Sequence, residues 1–206
     1  FAFSDQDDIW LPKKISRAIE ILDKNKKSGF SSNVTSWHQD TNIMREIYFD
    51  QELTNYDYMF QSPGPGCTFV LKREPFLQLR SFISALDIKV KSKIWFHDWF
   101  IYAYFREMNF SWHIDDKSNI LYRQHSKNVM GINKGIKAFK KRLSSIINKD
   151  YRMQIELISK ILDYEKRLPI IKNSYLGLNI ISTPLKSRRK MLHSFALFMM
   201  SILRLF

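Results

Sequence analysis

Three carboxylates stand within four residues near the start of the chain, Asp5-Gln6-Asp7-Asp8, directly after the apolar run Phe1-Ala2-Phe3. Like charges this close repel, so a fold holds them beside a cation or at a helix N-terminus. Phe1-Ala2-Phe3 reads as the last residues of a buried strand, so the carboxylates leave the end of a sheet together. There they make a hard-oxygen site suited to Mg²⁺ or Mn²⁺, ions that keep waters and bridge to phosphates. The competing reading is a cap cluster, with Asp7 and Asp8 on the dipole of a following helix.

That helix is expected over residues 12–25. Pro12 suits its first turn, and Ile15, Ala18, Ile19 and Leu22 follow at i, i+3, i+4 and i+7. Residues 31–60 read as polar and aromatic, with short strand-like pieces at best. Ser62-Pro63-Gly64-Pro65-Gly66 is a rigid turn, and Cys67 to Leu71 a strand rich in β-formers. Helices are expected over 75–86 and 98–108, short strands over 110–114 and 120–123. From Gly135 onward the pattern is helical. Strands mixed with helices up to about residue 125, then helices only, predict an α/β domain followed by a helical tail.

The charge divides in the same way. Residues 1–116 carry 14 Lys and Arg against 16 Asp and Glu, whereas residues 117–206 carry 19 against 4, and the whole chain is +13. The basic part is suited to nucleic acid, an anionic membrane surface or a phosphorylated ligand. Nucleic acid is the weaker of these, because no nucleic-acid motif appears and the acidic run would repel a phosphate backbone. Cys67 is the single cysteine, which excludes an internal disulfide and a cysteine-based zinc site, and makes a reducing compartment the simpler assumption. No segment reaches the roughly 20 apolar residues needed to span a bilayer.

Three further groups could carry chemistry. His97-Asp98-Trp99 precedes an aromatic helix; Asp98 reads as a helix cap or as a general base screened from water by aromatics. Tyr122-Arg123-Gln124-His125 follows a strand, where His125 is a metal ligand or an ordinary histidine. Gly64-Pro65-Gly66-Cys67-Thr68 lets backbone approach a ligand closely, or serves a tight turn.

In this order, these segments resemble family 2 glycosyltransferases, in particular the rhamnosyltransferase-like branch of bacterial polysaccharide enzymes. Phe3-Ser4-Asp5-Gln6-Asp7-Asp8-Ile9-Trp10-Leu11-Pro12-Lys13-Lys14 is similar to the metal-site segment of that family, and the later motifs recur in the expected sequence over residues 1–131. The resemblance implies a GT-A fold, with residues 1–131 part of the catalytic domain; residues 132–206 match it only in being basic and helical. The basic cluster Lys186, Arg188, Arg189 and Lys190, followed by a nearly apolar run from Met191, makes this extension one expected to lie on a membrane surface. The resemblance also implies that the family's first strands, where the nucleotide base is held, are lacking here, so that half the donor crevice would be missing.

For the site, the resemblance implies donor binding by Asp5, Asp7, Gly66 and Cys67; Arg123, a basic residue near them, is the candidate to assist the donor's pyrophosphate. The resemblance places a divalent Mg²⁺ or Mn²⁺ on Asp7 and His125, the catalytic base at Asp98, and the acceptor side at His97 and Trp99. The activity implied is inverting transfer from a nucleotide-diphospho-sugar to a hydroxyl of a lipid-linked saccharide or polysaccharide, of the O-antigen or capsule type. The enzyme would be cytoplasmic, peripheral at the inner face of the membrane. The alternative expectation is an inactive fragment or pseudoenzyme that binds a membrane surface or nucleic acid.

Overall fold

The computed structural model describes residues 1–124, 150–164 and 188–190. The chain divides into two compact units. One comprises Phe1–Asp50, Ser62–Leu86 and Tyr104–Ile132; the other comprises Gln51–Gln61, Asp87–Ala103 and Asn133–Phe206. The second unit therefore draws on residues 51–61 and 87–103 as well as on the basic C-terminal part.

The first unit is mixed α/β, with two sheets. Strands β1 (Ile9–Trp10), β3 (Val34–His38), β4 (Ile43–Ile47) and β7 (Ile120–Gln124) form one, in the order β1-β7-β3-β4. Strands β2 (Gly29–Ser32), β5 (Val70–Leu71) and β6 (Trp112–Asp115) form the other, in the order β5-β2-β6. β2 runs parallel to β6, and β3 parallel to β7. Two consecutive pairs thus pass side by side from one sheet into the next. Buried Asn33 sits at the crossing: its amide donates to the Asp116 carbonyl at 2.8 Å and its oxygen accepts the Phe49 N–H at 2.6 Å. The buried strand end expected at Phe1–Phe3 is instead an exposed edge: Ala2 makes a single bridge to Val70, the Phe3 N–H donates to the Phe69 carbonyl at 3.0 Å, and Phe1 is 53% exposed.

Helix α1 (Lys14–Lys24) buries Ala18 and Leu22 against Phe30 and Val70, with Ile15 and Ile21 packed beside them. No side chain caps it, and its first turn holds no acidic residue. The cap reading of Asp7 and Asp8 therefore finds no support, and those carboxylates are spent elsewhere. Arg17, on the same helix, grips the Asp115 carboxylate at the end of β6 at 2.5 and 2.7 Å.

The strand expected over Cys67 to Leu71 is shorter than its composition suggests. Gly66–Thr68 is a 3-10 turn, and the strand begins at Val70. Both the N–H and the hydroxyl of Thr68 donate to the Pro65 carbonyl, which withdraws this β-branched residue from a ladder. Three strands also lie where only fragments were expected. β2 is wholly buried although it reads Gly-Phe-Ser-Ser, because its serines are satisfied internally: Ser31 takes the Trp112 indole N–H at 3.0 Å, and Ser32 donates to the Asn33 carbonyl at 2.9 Å.

Helix α2 (Arg73–Ala85) follows β5, close to expectation. In the second unit, α3 (Ile88–Lys91) and the start of α4 (His97–Glu107) stand with a 3-10 turn at Asp57–Met59 and the helix Asp150–Ile161. Its interior holds Met59, Phe60, Trp99, Tyr102, Ile155, Ile158 and Tyr164. The helical pattern expected from Gly135 is met over Asp150–Ile161; the rest of it, and the apolar run after residue 190, lie outside the described residues. Among the described residues, no helix is long and apolar enough to cross a membrane.

Candidate functional site

The acidic loop closes on itself between the Phe3 edge and β1. Residues 6–7 turn, and β1 then pairs antiparallel with β7, Ile9 opposite Leu121. This register sets Asp8 beside the outgoing end of β7, where its carboxylate accepts the Arg123 backbone N–H at 3.1 Å. Ligand atoms of Asp5, Asp8 and Cys67 lie within 4.8 Å of one another. Asp5 is exposed, Asp8 half-buried and Cys67 buried, so the group runs from solvent inward.

The electrostatics fit a place that wants a cation. Burial raises the Asp8 carboxyl above its usual range; the Cys67 thiol and the Arg123 N–H oppose this, while Asp5 and Asp7 add to it. Asp8 Oδ2 is buried with no hydrogen-bond partner. Burial, then the Asp8 charge, pushes the Cys67 thiol far up, so at neutral pH it is a thiol and not a thiolate. A thiol is a poor ligand, which leaves carboxylate oxygens as the donors, the chemistry preferred by Mg²⁺ and Mn²⁺.

Two residues that lie in the sequence motifs but were given no role of their own face this group. Lys14, 3% exposed at the start of α1, lies 3.4 Å over the Trp10 ring and donates to the Phe3 carbonyl at 3.4 Å. Burial lowers its ammonium to about 8, against the pull of Cys67, Asp8 and Asp5. Tyr122, on β7, has its phenol raised by burial and then by the same cluster's charges. Lys14 was hidden because an apolar helix stripe predicts Ile19 inside, yet Ile19 is 50% exposed and Lys14 is buried. The Tyr122 signal was its place in the β7 segment.

Of the other expected donor residues, Gly66 and Cys67 are buried in the 3-10 turn, and the Arg123 guanidinium stands 5.5 Å from the Trp37 ring. Asp7 is half-buried. Gly64, in the turn just before, has a φ of +143°, a conformation that suits glycine alone. These residues belong to the first unit.

His97, Asp98 and Trp99 belong to the second. His97 is exposed and Asp98 half-buried in the first turn of α4, where an Asp98 oxygen accepts the Trp99 N–H at 2.7 Å. Trp99 is 3% exposed; its ring stacks on Tyr151 at 5.1 Å and its indole N–H donates to the Tyr58 carbonyl at 2.7 Å. Trp99 is thus a packing residue that fixes the start of α4. His125 lies outside the described residues.

The chain is 37% identical over 208 residues to the dTDP-rhamnosyl transferase RfbG of Shigella flexneri, a match covering 99% of this chain and 71% of that protein. No family model matches the chain. By its relationship to that transferase the chain belongs to the rhamnosyltransferase-like glycosyltransferases.

Proposed function

We propose that the protein transfers a deoxyhexose, rhamnose in the first instance, from a nucleotide-diphospho-sugar to a hydroxyl acceptor during synthesis of a cell-surface polysaccharide. The observation that carries this reading is the likeness to a dTDP-rhamnosyl transferase along nearly the whole chain. The acidic loop supports it chemically, since Asp5 and Asp8 converge and Asp8 Oδ2 is a buried oxygen awaiting a partner.

In this reading the catalytic domain has a GT-A fold and the reaction is a single inverting displacement. Asp5 and Asp8, with Asp7 and His125 from the family resemblance, hold Mg²⁺ or Mn²⁺. When bound, such an ion offsets charge growing on the leaving diphosphate. Lys14 sets a positive charge behind the acidic loop, and the Arg123 guanidinium is assigned to the diphosphate. Gly66 and Cys67 shape the wall beside the donor. Asp98 takes the proton of the acceptor hydroxyl as that oxygen bonds to the anomeric carbon and the bond to the diphosphate breaks. His97 stands on the acceptor side, and Trp99 serves it by holding the start of α4.

The acceptor is a lipid-linked saccharide, which puts the enzyme at the cytoplasmic face of the membrane. The test is donor binding and hydrolysis with Mn²⁺, comparing dTDP-rhamnose with other nucleotide-sugars. Preference for dTDP-rhamnose supports the reading; binding of none of them overturns it.

A further inference from the structure

In the second unit, the segment Asp87 to Trp95 exposes apolar side chains between lysines. Ile88 is 71% exposed and Trp95 54% exposed, and between them lie Lys89, Lys91 and Lys93. One acid is present, Asp87, and an oxygen of its side chain accepts the Lys89 N–H at 2.6 Å as the cap of α3. No residue of α3 is buried.

The backbone of this segment satisfies itself. The N–H groups of Ser92, Lys93 and Ile94 donate to the carbonyls of Ile88, Val90 and Lys91 at 3.0 to 3.1 Å. It can therefore enter a poorly hydrated zone without stranding polar groups. It is also held rigidly from behind. Gln154, 2% exposed on the helix Asp150–Ile161, accepts the Trp95 N–H at 3.1 Å and donates to the Lys93 carbonyl at 2.8 Å. The residue beside Gln154, Met153, is 46% exposed. Rigid presentation spares the ordering cost that a loose loop would meet on docking.

We infer that the Ile88–Trp95 segment is a surface that docks on the anionic headgroups of a lipid bilayer. Tryptophan settles at headgroup depth, aliphatic side chains reach the acyl boundary, and lysines meet phosphates while their stems cover apolar area. Charge complementarity selects the occupant, with the exposed Lys89 and Lys93 against one capped carboxylate. A nucleic acid would find one stacking ring, Trp95, since Ile88 has no face on which a base can lie.

Arg188 and Arg189, the arginines of the basic cluster near the C-terminus that sequence also offers for lipid contact, are committed differently. Arg188 donates to the Tyr151 hydroxyl at 2.5 Å, and Arg189 stands 3.6 Å from the Asp57 carboxylate with its side chain 4% exposed.

This inference rests on the membrane-surface part of the proposed function and not on the transfer chemistry. The experiment is sedimentation of the 206-residue chain with vesicles of phosphatidylcholine, with and without phosphatidylglycerol, in the absence of donor and acceptor. The protein should bind the anionic vesicles and release in high salt. Lys89→Gln with Lys93→Gln should weaken binding about twentyfold, each lysine near such a surface being worth roughly fivefold. Trp95→Ser should weaken it by roughly tenfold, and Ile88→Ser, at the most exposed position, carries the same test should Trp95→Ser melt early. Lys24→Gln with Lys26→Gln, in the first unit, should leave binding unchanged.

Equal binding to neutral vesicles, equal loss in the Lys24/Lys26 control, or full binding by the patch variants would overturn the inference. So would concentration-dependent self-association that Trp95→Ser abolishes, which would give the patch to a second copy of the chain. Each of these outcomes leaves donor binding, measured separately, to stand or fall alone.

Discussion

The Asp8 carboxylate accepts the backbone N–H of Arg123 across 115 residues of sequence, at 3.1 Å, so strand β7 fixes the carboxylate that the acidic loop carries inward. Its second oxygen is buried without a hydrogen bond, beside Asp5 and a Cys67 held as a neutral thiol. Asp8→Asn should therefore weaken Mn²⁺ binding, read by calorimetry, by at least about tenfold, the loss seen when even a supporting partner of a metal ligand is removed. Cys67→Ser should change it little, because the sulfur is not a ligand. Mn²⁺ affinity that falls with Asp7→Asn but not with Asp8→Asn would move the site one residue along the loop.

Asp98 has two readings with opposite outcomes. It lies in the first turn of α4 with one oxygen on the Trp99 N–H, a place where Asn serves about as well as Asp. As the base, Asp98→Asn should cut turnover by about a hundredfold or more while donor affinity and melting temperature barely move. Nearly unchanged turnover would leave Asp98 as a cap alone.

Gly29 stands opposite Trp112 in the parallel pair β2–β6, and a Cβ on it would come within 2.3 and 2.5 Å of two ring atoms. The ring cannot step aside. Its indole N–H is on Ser31, and Phe69 and Phe105 meet it edge-on at 5.0 and 5.2 Å. Gly29→Ala should cost about 2–3 kcal/mol in a denaturant titration, as overpacking does in a closed core. Trp112→Leu should return part of that loss when placed in the Gly29→Ala background. Simple additivity of the two changes would place the strain somewhere other than this contact.

The Arg17–Asp115 pair gives a pH signature. Burial raises the Asp115 carboxyl, but hydrogen bonds from His113 and Arg17, and their charges, outweigh it and hold the group below its usual range. A carboxyl whose folded value is depressed stabilises the fold above the unfolded value, and that stabilisation is lost as pH falls through the folded value. The melting-temperature gap between the protein and Asp115→Asn should thus be smaller below about pH 4 than at pH 7. A gap that widens in acid would contradict this.

The parts of the fold legible in the sequence were those written in apolar periodicity. Helices α1, α2 and α4 begin and end within about two residues of expectation. What escaped was structure whose interior is polar. β2 buries Ser31 and Ser32, and α1 buries Lys14 while exposing Ile19, so a rule that puts hydrophobic residues inside misplaces both. The acidic loop was legible as a cluster, but which carboxylate turns inward depends on how β1 pairs with β7, a contact no local pattern encodes. Trp99 reads equally well as a ligand face or as a core ring, and its bond to the Tyr58 carbonyl decides that only in three dimensions.

The same reasoning predicts what the arginines near the C-terminus contribute. Asp57 is fully buried in the second unit, where it accepts the Tyr102 hydroxyl at 2.9 Å and faces Arg189 at 3.6 Å. A carboxylate taken from water keeps its charge only if hydrogen bonds and a cation replace the lost hydration. Arg189→Met takes the cation and leaves the carboxylate, so it should cost about 3–5 kcal/mol, the usual result of breaking a buried pair from one side. Asp57→Asn with Arg189→Met removes both charges, keeps an acceptor for Tyr102, and should be clearly more stable than Arg189→Met alone. Denaturant midpoints of the wild type, the two single variants and the double variant measure the coupling. A coupling near zero would mean that Arg189 is held by other groups, and that residues 188–190 are not fastened to the second unit through Asp57.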